Sequence, residues 1–467
     1  MAKKKARAGV QRLPEPPQSV ELAATTAIDS ISLRGFKSHR DTKAVVLRPL
    51  TVLAGENSGG KSSIVQPLLL MKQTLEAQYD PGVLDLRGSC VKLDRAVDLF
   101  WRGALDSEPH EDQTWCVRFG VKGLFFEAEY RLDDPAKGGV LLYETRIVLP
   151  DGETMIMRDD LSASAARSVY LKLANAGVLG QYFIPGMPSI FGYQVFSSRC
   201  AHGFRIVPFK GVVRPRSAPA MHEEVIPRNV LERLIHLPGL RGNPERAYRV
   251  TRVAGRFPGL FQDYTASVLE DWQENQSPEL QGVKEDLALL RLTRHVQTAR
   301  VDDTRVEVKL GRRLDDSGEN DVVNIADVGF GASQALPVVV ALRAAGRDQL
   351  VHIEQPELHL HPNAQVAMAS LLIAAANRGA RLIVETHSSV LLKAIQVAVA
   401  EDVTGRLQKE IALHWFERDE SGASIVRTAD LAADGSFGDW PVDFADVEMD
   451  IHRRFIRASG QRRRGAT

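Results

Sequence analysis

At 467 residues, the chain can form one large domain with an insertion, or two to three modest ones. Apolar residues at 44% and charged residues at 25% are globular proportions, which exclude a disordered or fibrous chain. The 59 basic residues cancel 59 acidic ones, so net charge argues neither for nor against nucleic acid. No apolar run reaches the roughly 18 residues that span a bilayer, so no membrane role is expected. Cys90, Cys116 and Cys200 lack metal or redox spacing, which fits thiols that pack in a reducing, cytoplasmic compartment.

In chain order, residues 1–28 read as a flexible basic leader. Lys3, Lys4, Lys5 and Arg7 supply the charge, and Pro14, Pro16 and Pro17 block regular structure. No apolar core follows, so the leader is not a signal peptide. A strand near Ile31 and Leu33 and another at 50–54 precede a glycine-rich turn, and 62–75 has helical spacing. Alternation over 115–130 and 140–157 predicts strands, the second pair folding about Pro150-Asp151-Gly152.

Residues 29–160 therefore read as the first part of an α/β unit with an antiparallel β lobe. The stretch 161–300 reads as a mainly helical insertion, with helices predicted at 230–235, 260–272 and 280–296. Its Arg241, Arg246, Arg249 and Arg252 suit an exposed recognition surface. Within 301–428 strands return at 306–310, 322–325, 350–354 and 382–385. Helices follow the last two, as a mixed, mostly parallel sheet requires. A tail, 429–467, ends in Arg453, Arg454, Arg457, Arg462, Arg463 and Arg464. There is no internal repeat and no heptad run long enough for coiled-coil arms.

Four segments carry chemistry. Gly55-Glu56-Asn57-Ser58-Gly59-Gly60-Lys61-Ser62 is a G-x4-G-K-S loop between a strand and a helix, with Ser63 following it. Its N–H groups and the helix N-terminus point at phosphates, Lys61 reaches the β- and γ-phosphates of ATP, and the Ser62 hydroxyl ligates Mg2+. The strand Leu350–Glu354 ends in an acid suited to the Mg2+ shell. The next residue, Gln355, can orient a water but cannot take its proton.

Asp327-Val328-Gly329-Phe330-Gly331-Ala332-Ser333-Gln334 reads as a second anion-binding turn, with Gly331, Ser333 and Gln334 ahead of a helix at 335–342. One subunit has no need of two phosphate cradles, so this turn makes sense capping the γ-phosphate held by a partner subunit. Last, His387 in Glu385-Thr386-His387-Ser388 is placed to hydrogen-bond that phosphate.

Those four elements in that order resemble the ABC-type ATPase heads of the SMC, RecF and OLD groups. They are more similar still to stand-alone prokaryotic AAA-family ATPases with an E-Q-P-E-x-H-L-H-P segment, here Glu354-Gln355-Pro356-Glu357-Leu358-His359-Leu360-His361-Pro362. That group's P-L-R-x-x-P-x-R-x-Y element matches 238–248 with one extra residue before Leu240, and Asp439-Trp440-Pro441 is similar to its W-P ending. The resemblance covers 29–160 and 300–428 and is thin between them.

It implies an ABC-type P-loop ATPase fold and a head-to-tail homodimer, or a higher oligomer, closed by ATP, Ser333 of one subunit facing Lys61 of the other. Relatives of this kind are sensor subunits of anti-phage systems such as Septu and PARIS, so the resemblance also implies a separate effector such as a nuclease, with DNA or a phage component as trigger. The alternative is a RecF-like repair ATPase that binds DNA directly, and a third reading is a module that holds ATP almost without turnover. About eighty residues follow His387, too few for a further nuclease domain. Asp302, Asp303, Glu307 and Lys309 mimic a nuclease site but read as one amphipathic strand, and His359 and His361 fit the joining loop better than a metal.

Overall fold

The computed structural model describes residues 27–438 and 453–457, apart from 80, 102, 104–112, 134–138, 159–160, 163, 166–167, 170–171, 173–191, 199–202, 210–227, 252–254, 313–320 and 430. The basic leader as far as residue 26, Cys200, Arg252, the W-P ending and Arg462, Arg463 and Arg464 lie outside the described residues.

The strands are β1 Ser30–Phe36, β2 His39–Val46, β3 Leu50–Gly55, β4 Thr114–Val121, β5 Leu124–Leu132, β6 Val140–Val148, β7 Thr154–Met157, β8 Gly192–Ser198 and β9 Gly203–Phe209. They continue with β10 Ile235–Leu237, β11 Tyr248–Arg249, β12 Val296–Asp302, β13 Arg305–Gly311, β14 Val322–Asn324, β15 Leu350–Glu354, β16 Arg381–Glu385, β17 Ile411–Arg418 and β18 Ser424–Thr428. The helices are α1 Lys61–Glu76, α2 Arg228–Glu232, α3 Thr265–Glu274, α4 Pro278–Leu289, α5 Phe330–Ala344, α6 Pro362–Asn377, α7 Ser389–Glu401 and α8 Arg406–Glu410.

The central sheet runs β10-β15-β16-β3-β17-β18. All its neighbours are parallel except the β17–β18 hairpin. Its middle strands are near-continuous apolar runs (Leu-Thr-Val-Leu-Ala-Gly in β3, buried throughout) because helices cover both faces. A second sheet, β2-β1-β4-β5-β6-β7, is antiparallel throughout. Its β4–β5 hairpin turns at Lys122 and Gly123, both with positive φ (50° and 80°), as the right-handed twist of paired strands favours. Together these make an α/β fold with a mixed, mostly parallel sheet and an antiparallel β lobe.

Helix α1 lies between the two sheets. Its Ile64, Val65, Leu68 and Met71 share one core with Trp115, Phe119 and Tyr130 of the lobe, the Trp115 and Tyr130 rings stacked 4.2 Å apart. The other core gathers α3 to α7 on the far face. There α5 buries Ala332, Ala335, Leu336, Val338, Val339, Val340 and Leu342, so it is apolar nearly all round and sits inside the unit. Arg343 on α5 grips Asp286 on α4 through Nε and Nη2, both 2.6 Å.

The structure differs from the sequence reading at several elements. Ile235, expected as the last residue of a helix at 230–235, instead opens β10 (Ile235–Leu237) at the edge of the central sheet. Three buried residues are too short a run for periodicity to separate strand from helix. Helices α3 and α4 belong to the main core rather than to a helical insertion, because their apolar faces need α5 to cover them. Val296, the expected end of a third helix, instead opens β12 (Val296–Asp302) of the β12–β13 hairpin. The helix expected at 335–342 starts at Phe330, so Gly331 and Ser333 lie within its first turns. No helix among the described residues is long and apolar enough to cross a membrane.

Candidate functional site

The C-terminal ends of the parallel strands β15, β16 and β3 open onto one cleft of about 830 Å3, the edge at which open α/β sheets take ligands. Strand β3 ends at Gly55, whose φ is 134° and whose missing Cβ would stand 2.1 Å from the Phe416 carbonyl oxygen of β17. Only glycine fits so close to a neighbouring strand. Gly60, at φ 102°, lets the chain turn into α1, and a Cβ there would meet Ser424 Oγ at 2.3 Å.

The loop is held from outside. Ser424 Oγ lies 2.7 Å from both Ser38 Oγ and the Gly59 carbonyl oxygen, and Arg418 Nε donates to Ser58 O at 2.7 Å. His39 Nε2 lies 3.0 Å from Gly60 O, and burial presses its pKa down to about 4, so the ring is neutral and donates.

Lys61 turns inward and donates to Gly55 O at 3.1 Å and Glu56 O at 2.6 Å. Burial lowers its pKa, with Glu385 and Glu56 opposing. An ammonium in that position bridges the loop and exchanges readily onto phosphate oxygens.

Acids from adjacent strands face the loop, and register pairs Glu354 of β15 with Glu385 of β16. Glu354 Oε2 accepts the Gly239 N–H at 3.0 Å, and burial raises the Glu354 pKa against the pull of His352. Sequence reasoning placed Ser62 and Glu354 together as the metal pair. In the structure the Ser62 hydroxyl donates to Glu385 Oε2 at 2.7 Å, because β16 lies between β15 and β3. Hard oxygen donors beside a phosphate loop are the set Mg2+ takes, so these residues fit that ion.

Behind Glu385 lie two buried histidines brought together by the β10–β15 register. His352 Nε2 is 2.8 Å from Glu385 Oε1, and its Nδ1 is 3.0 Å from His236 Nδ1. Burial disfavours charge on His352, yet the hydrogen bond and charge of Glu385 outweigh it and hold its pKa above the ordinary value. Burial, then the charge of His352, pushes His236 well below its own. His352 Nε2 faces a carboxylate oxygen and so donates to Glu385. His236, His352 and Glu354 offer ligand atoms within 4.8 Å of one another, but the rings engage each other and Glu354 engages Gly239.

Gln355 borders the cleft at a left-handed φ of 45°, its N–H donating to Glu385 O at 2.7 Å. Glu357 looks from sequence like a spare base, but its Oε1 accepts Thr386 Oγ1 at 2.7 Å and the His387 N–H at 3.1 Å. It therefore positions His387, a half-buried ring in the cleft whose pKa is lowered by burial and then by Lys61. His361 Nδ1 accepts the Asn363 N–H at the start of α6, and the His359 ring lies against Phe330, so the structure gives neither a metal role. Asp302 pairs across the hairpin with Arg305, and Glu307 with Lys309 two residues on along β13, so ion pairs account for the nuclease-like spacing.

The remaining expected residues are elsewhere. Gly331, Ser333 and Gln334 do not border the cleft. Ser333 is buried and its hydroxyl donates to Phe330 O at 3.1 Å, while Gln334 Nε2 donates to Gly242 O at 2.8 Å. Arg241, read from sequence as a surface arginine, is 6% exposed. It donates to the carbonyl oxygens of Glu354 (2.6 Å) and Gln355 (3.3 Å), with Gln334 O at 3.5 Å, and so fastens the start of α5 to the acid strand. Sequence reasoning missed Gly239, Arg241, His352 and Glu385 as parts of the site. The available signals were a histidine inside an apolar strand and an acid ending the neighbouring strand.

The family described as "AAA domain, putative AbiEii toxin, Type IV TA system" matches residues 228–393, a stretch holding Arg241, α5, Glu354 and His387 but not the loop 55–62. None of the curated proteins matches the sequence. Among solved structures the chain is similar to "Crystal structure of the SmcHead bound to the C-winged helix domain of ScpA", at 13% identity and TM-score 0.41, over 86% of this chain and 97% of that one. It is also similar to "SMC head domain from Thermotoga maritima", at 11% identity and TM-score 0.33, over 86% and 98%. A third is an Smc head domain with an extended coiled coil, bound to the C-terminal domain of ScpA derived from Pyrococcus furiosus, at 12% identity and TM-score 0.38, over 86% and 96%.

Proposed function

We propose that this chain is an ATP-binding, slowly hydrolysing switch that closes into a homodimer and controls a separate effector. One observation carries the reading: residues 58–62 of the loop, with Glu354, Gln355 and His387, all border a single cleft, on a strand–loop–helix frame suited to phosphates. In that cleft the loop N–H groups and the N-terminus of α1 take the β- and γ-phosphates, and Lys61 moves its donors from two carbonyls onto them.

Mg2+, when bound, neutralises phosphate charge. Ser62 would hold it directly and Glu354 through water. His387, kept neutral by burial and Lys61, donates one N–H to the γ-phosphate. Gln355 orients the attacking water but takes no proton, and Glu357, whose Oε1 accepts from Thr386 and His387, does not border the cleft. Hydrolysis is therefore slow, and the loaded state persists.

The start of α5, with Ser333, serves the partner's phosphate, because it does not border its own cleft. Exposed Phe330 beside it, 54% accessible, suits a surface that a second copy covers. The sensor role in anti-phage defence is supported by the Glu354–Pro362 motif resemblance, and the matching family's description, which names a toxin, agrees with a controlled toxic output.

Calorimetry with ATP and MgCl2 should give saturable binding, and light scattering should show the mass of a dimer only with ATP. No binding by the wild type overturns the reading. Salt-sensitive binding of DNA by the isolated protein, with no effector recovered alongside it, would favour a RecF-like repair ATPase instead.

A further inference from the structure

We propose that Glu385 is a positioning residue of the cation site: it fixes the Ser62 hydroxyl as a magnesium ligand, and the buried His352–His236 pair fixes Glu385. The inference rests on the nucleotide reading above and adds a part to it that the loop and the acid strand do not supply.

The sheet order makes the case first. Strand β16 is the direct neighbour of β3, whereas β15 is one strand further out. Strands are spaced about 4.8 Å apart, so the carboxylate ending β16 is the one placed beside the loop serine. Glu385 Oε2 accepts the Ser62 hydroxyl at 2.7 Å. A serine hydroxyl has one proton and two lone pairs. With the proton spent on Glu385, both lone pairs are free for a cation, and the bonded carboxylate enriches the oxygen that would meet it.

The second argument is burial. Glu385 is 4% exposed, and buried polar oxygens cost stability unless they are hydrogen-bonded. Oε1 is engaged by His352 Nε2 at 2.8 Å, and His352 Nδ1 lies 3.0 Å from His236 Nδ1 on β10. The rings are 9° from parallel. A line of side chains therefore crosses three adjacent strands and ends on the loop. Partners of this kind set a ligand's orientation, and their loss typically lowers metal affinity by about 10–100-fold.

The test titrates MgCl2 at fixed ATP and reads ATP binding by calorimetry, with binding in EDTA as the metal-free reference. Glu385→Gln should raise the Mg2+ concentration at half-effect by about 10–100-fold and leave binding in EDTA within about twofold, a reading that also shows the variant is folded. His352→Gln should shift it the same way by less. In a Ser62→Ala background, Glu385→Gln should add nothing, since it acts through that hydroxyl.

An unchanged Mg2+ dependence in Glu385→Gln, or its full effect persisting without Ser62, overturns the inference while the nucleotide reading stands. Should Glu385→Gln lose EDTA binding as well, the same double-variant comparison made with His352→Gln decides. A wild type that binds no ATP removes both.

Discussion

Two glycine- and serine-bearing segments enter helices in this chain, and they are used differently. Loop 55–62 faces two acids, a histidine and a glutamine from neighbouring strands, and four hydrogen bonds, with His39, Arg418, Ser424 and Phe416, set its shape. Segment 329–334 lies outside the cleft, with Phe330 against the His359 ring. Its serine bonds back onto its own helix, its glutamine holds Gly242, and a Cβ at Gly331 would press on the His359 carbonyl oxygen at 3.1 Å. Similar local chemistry thus gives a complete half-site in one case and, in the other, a helix start whose Ser333 and Gln334 are buried and whose Phe330 is exposed. A phosphate loop is made by what stands opposite it, and under the proposed dimer a second subunit would supply that for 329–334.

The comparison is sharpened most by changing Gln355. Supplying a carboxylate with Gln355→Glu should raise ATP turnover by about 10²-fold or more, the usual worth of general-base help. Brisk wild-type hydrolysis, unchanged or reduced in the variant, would show that another group takes the proton.

Acid should loosen the loop itself. His39 holds Gly60, and its pKa falls from 6.5 to about 4 on folding. The unfolded chain therefore binds more protons between those values. The contribution is complete above pH 6.5 and is lost as pH falls toward 4, about 3 kcal/mol in all. Denaturant unfolding at pH 7 and pH 4.5 should show a gentler acid loss in His39→Gln than in wild type. Equal losses would remove His39 from the account.

Removing the ammonium with Lys61→Ala should weaken ATP binding by about 2–3 kcal/mol, the worth of a charge-assisted contact. An unchanged dissociation constant would mean that phosphates bind elsewhere.

Much of the cleft was legible in the sequence, because its chemistry is local. Strand β3, the glycines, Lys61 and Ser62 are consecutive, and the Glu354 strand is an unbroken apolar run ending in an acid. What was not legible depends on register across strands far apart in the chain. That Glu385 meets Ser62, and that His236 meets His352, follows from the order β10-β15-β16-β3, which no single segment encodes. Arg241 misled for a related reason: an arginine among turns reads as surface until α5 and β15 close over it.

The central claim is that the start of α5 serves the loop of another copy. The direct measurement mixes a Lys61→Ala chain with a Ser333→Arg chain and follows ATP-driven association by light scattering. Each variant alone should stay at the mass of one subunit. The mixture should form a dimer, since Lys61 of one chain and Ser333 of the other complete one site. Association of Ser333→Arg alone, or failure of wild type and mixture alike to associate with ATP, would contradict the account.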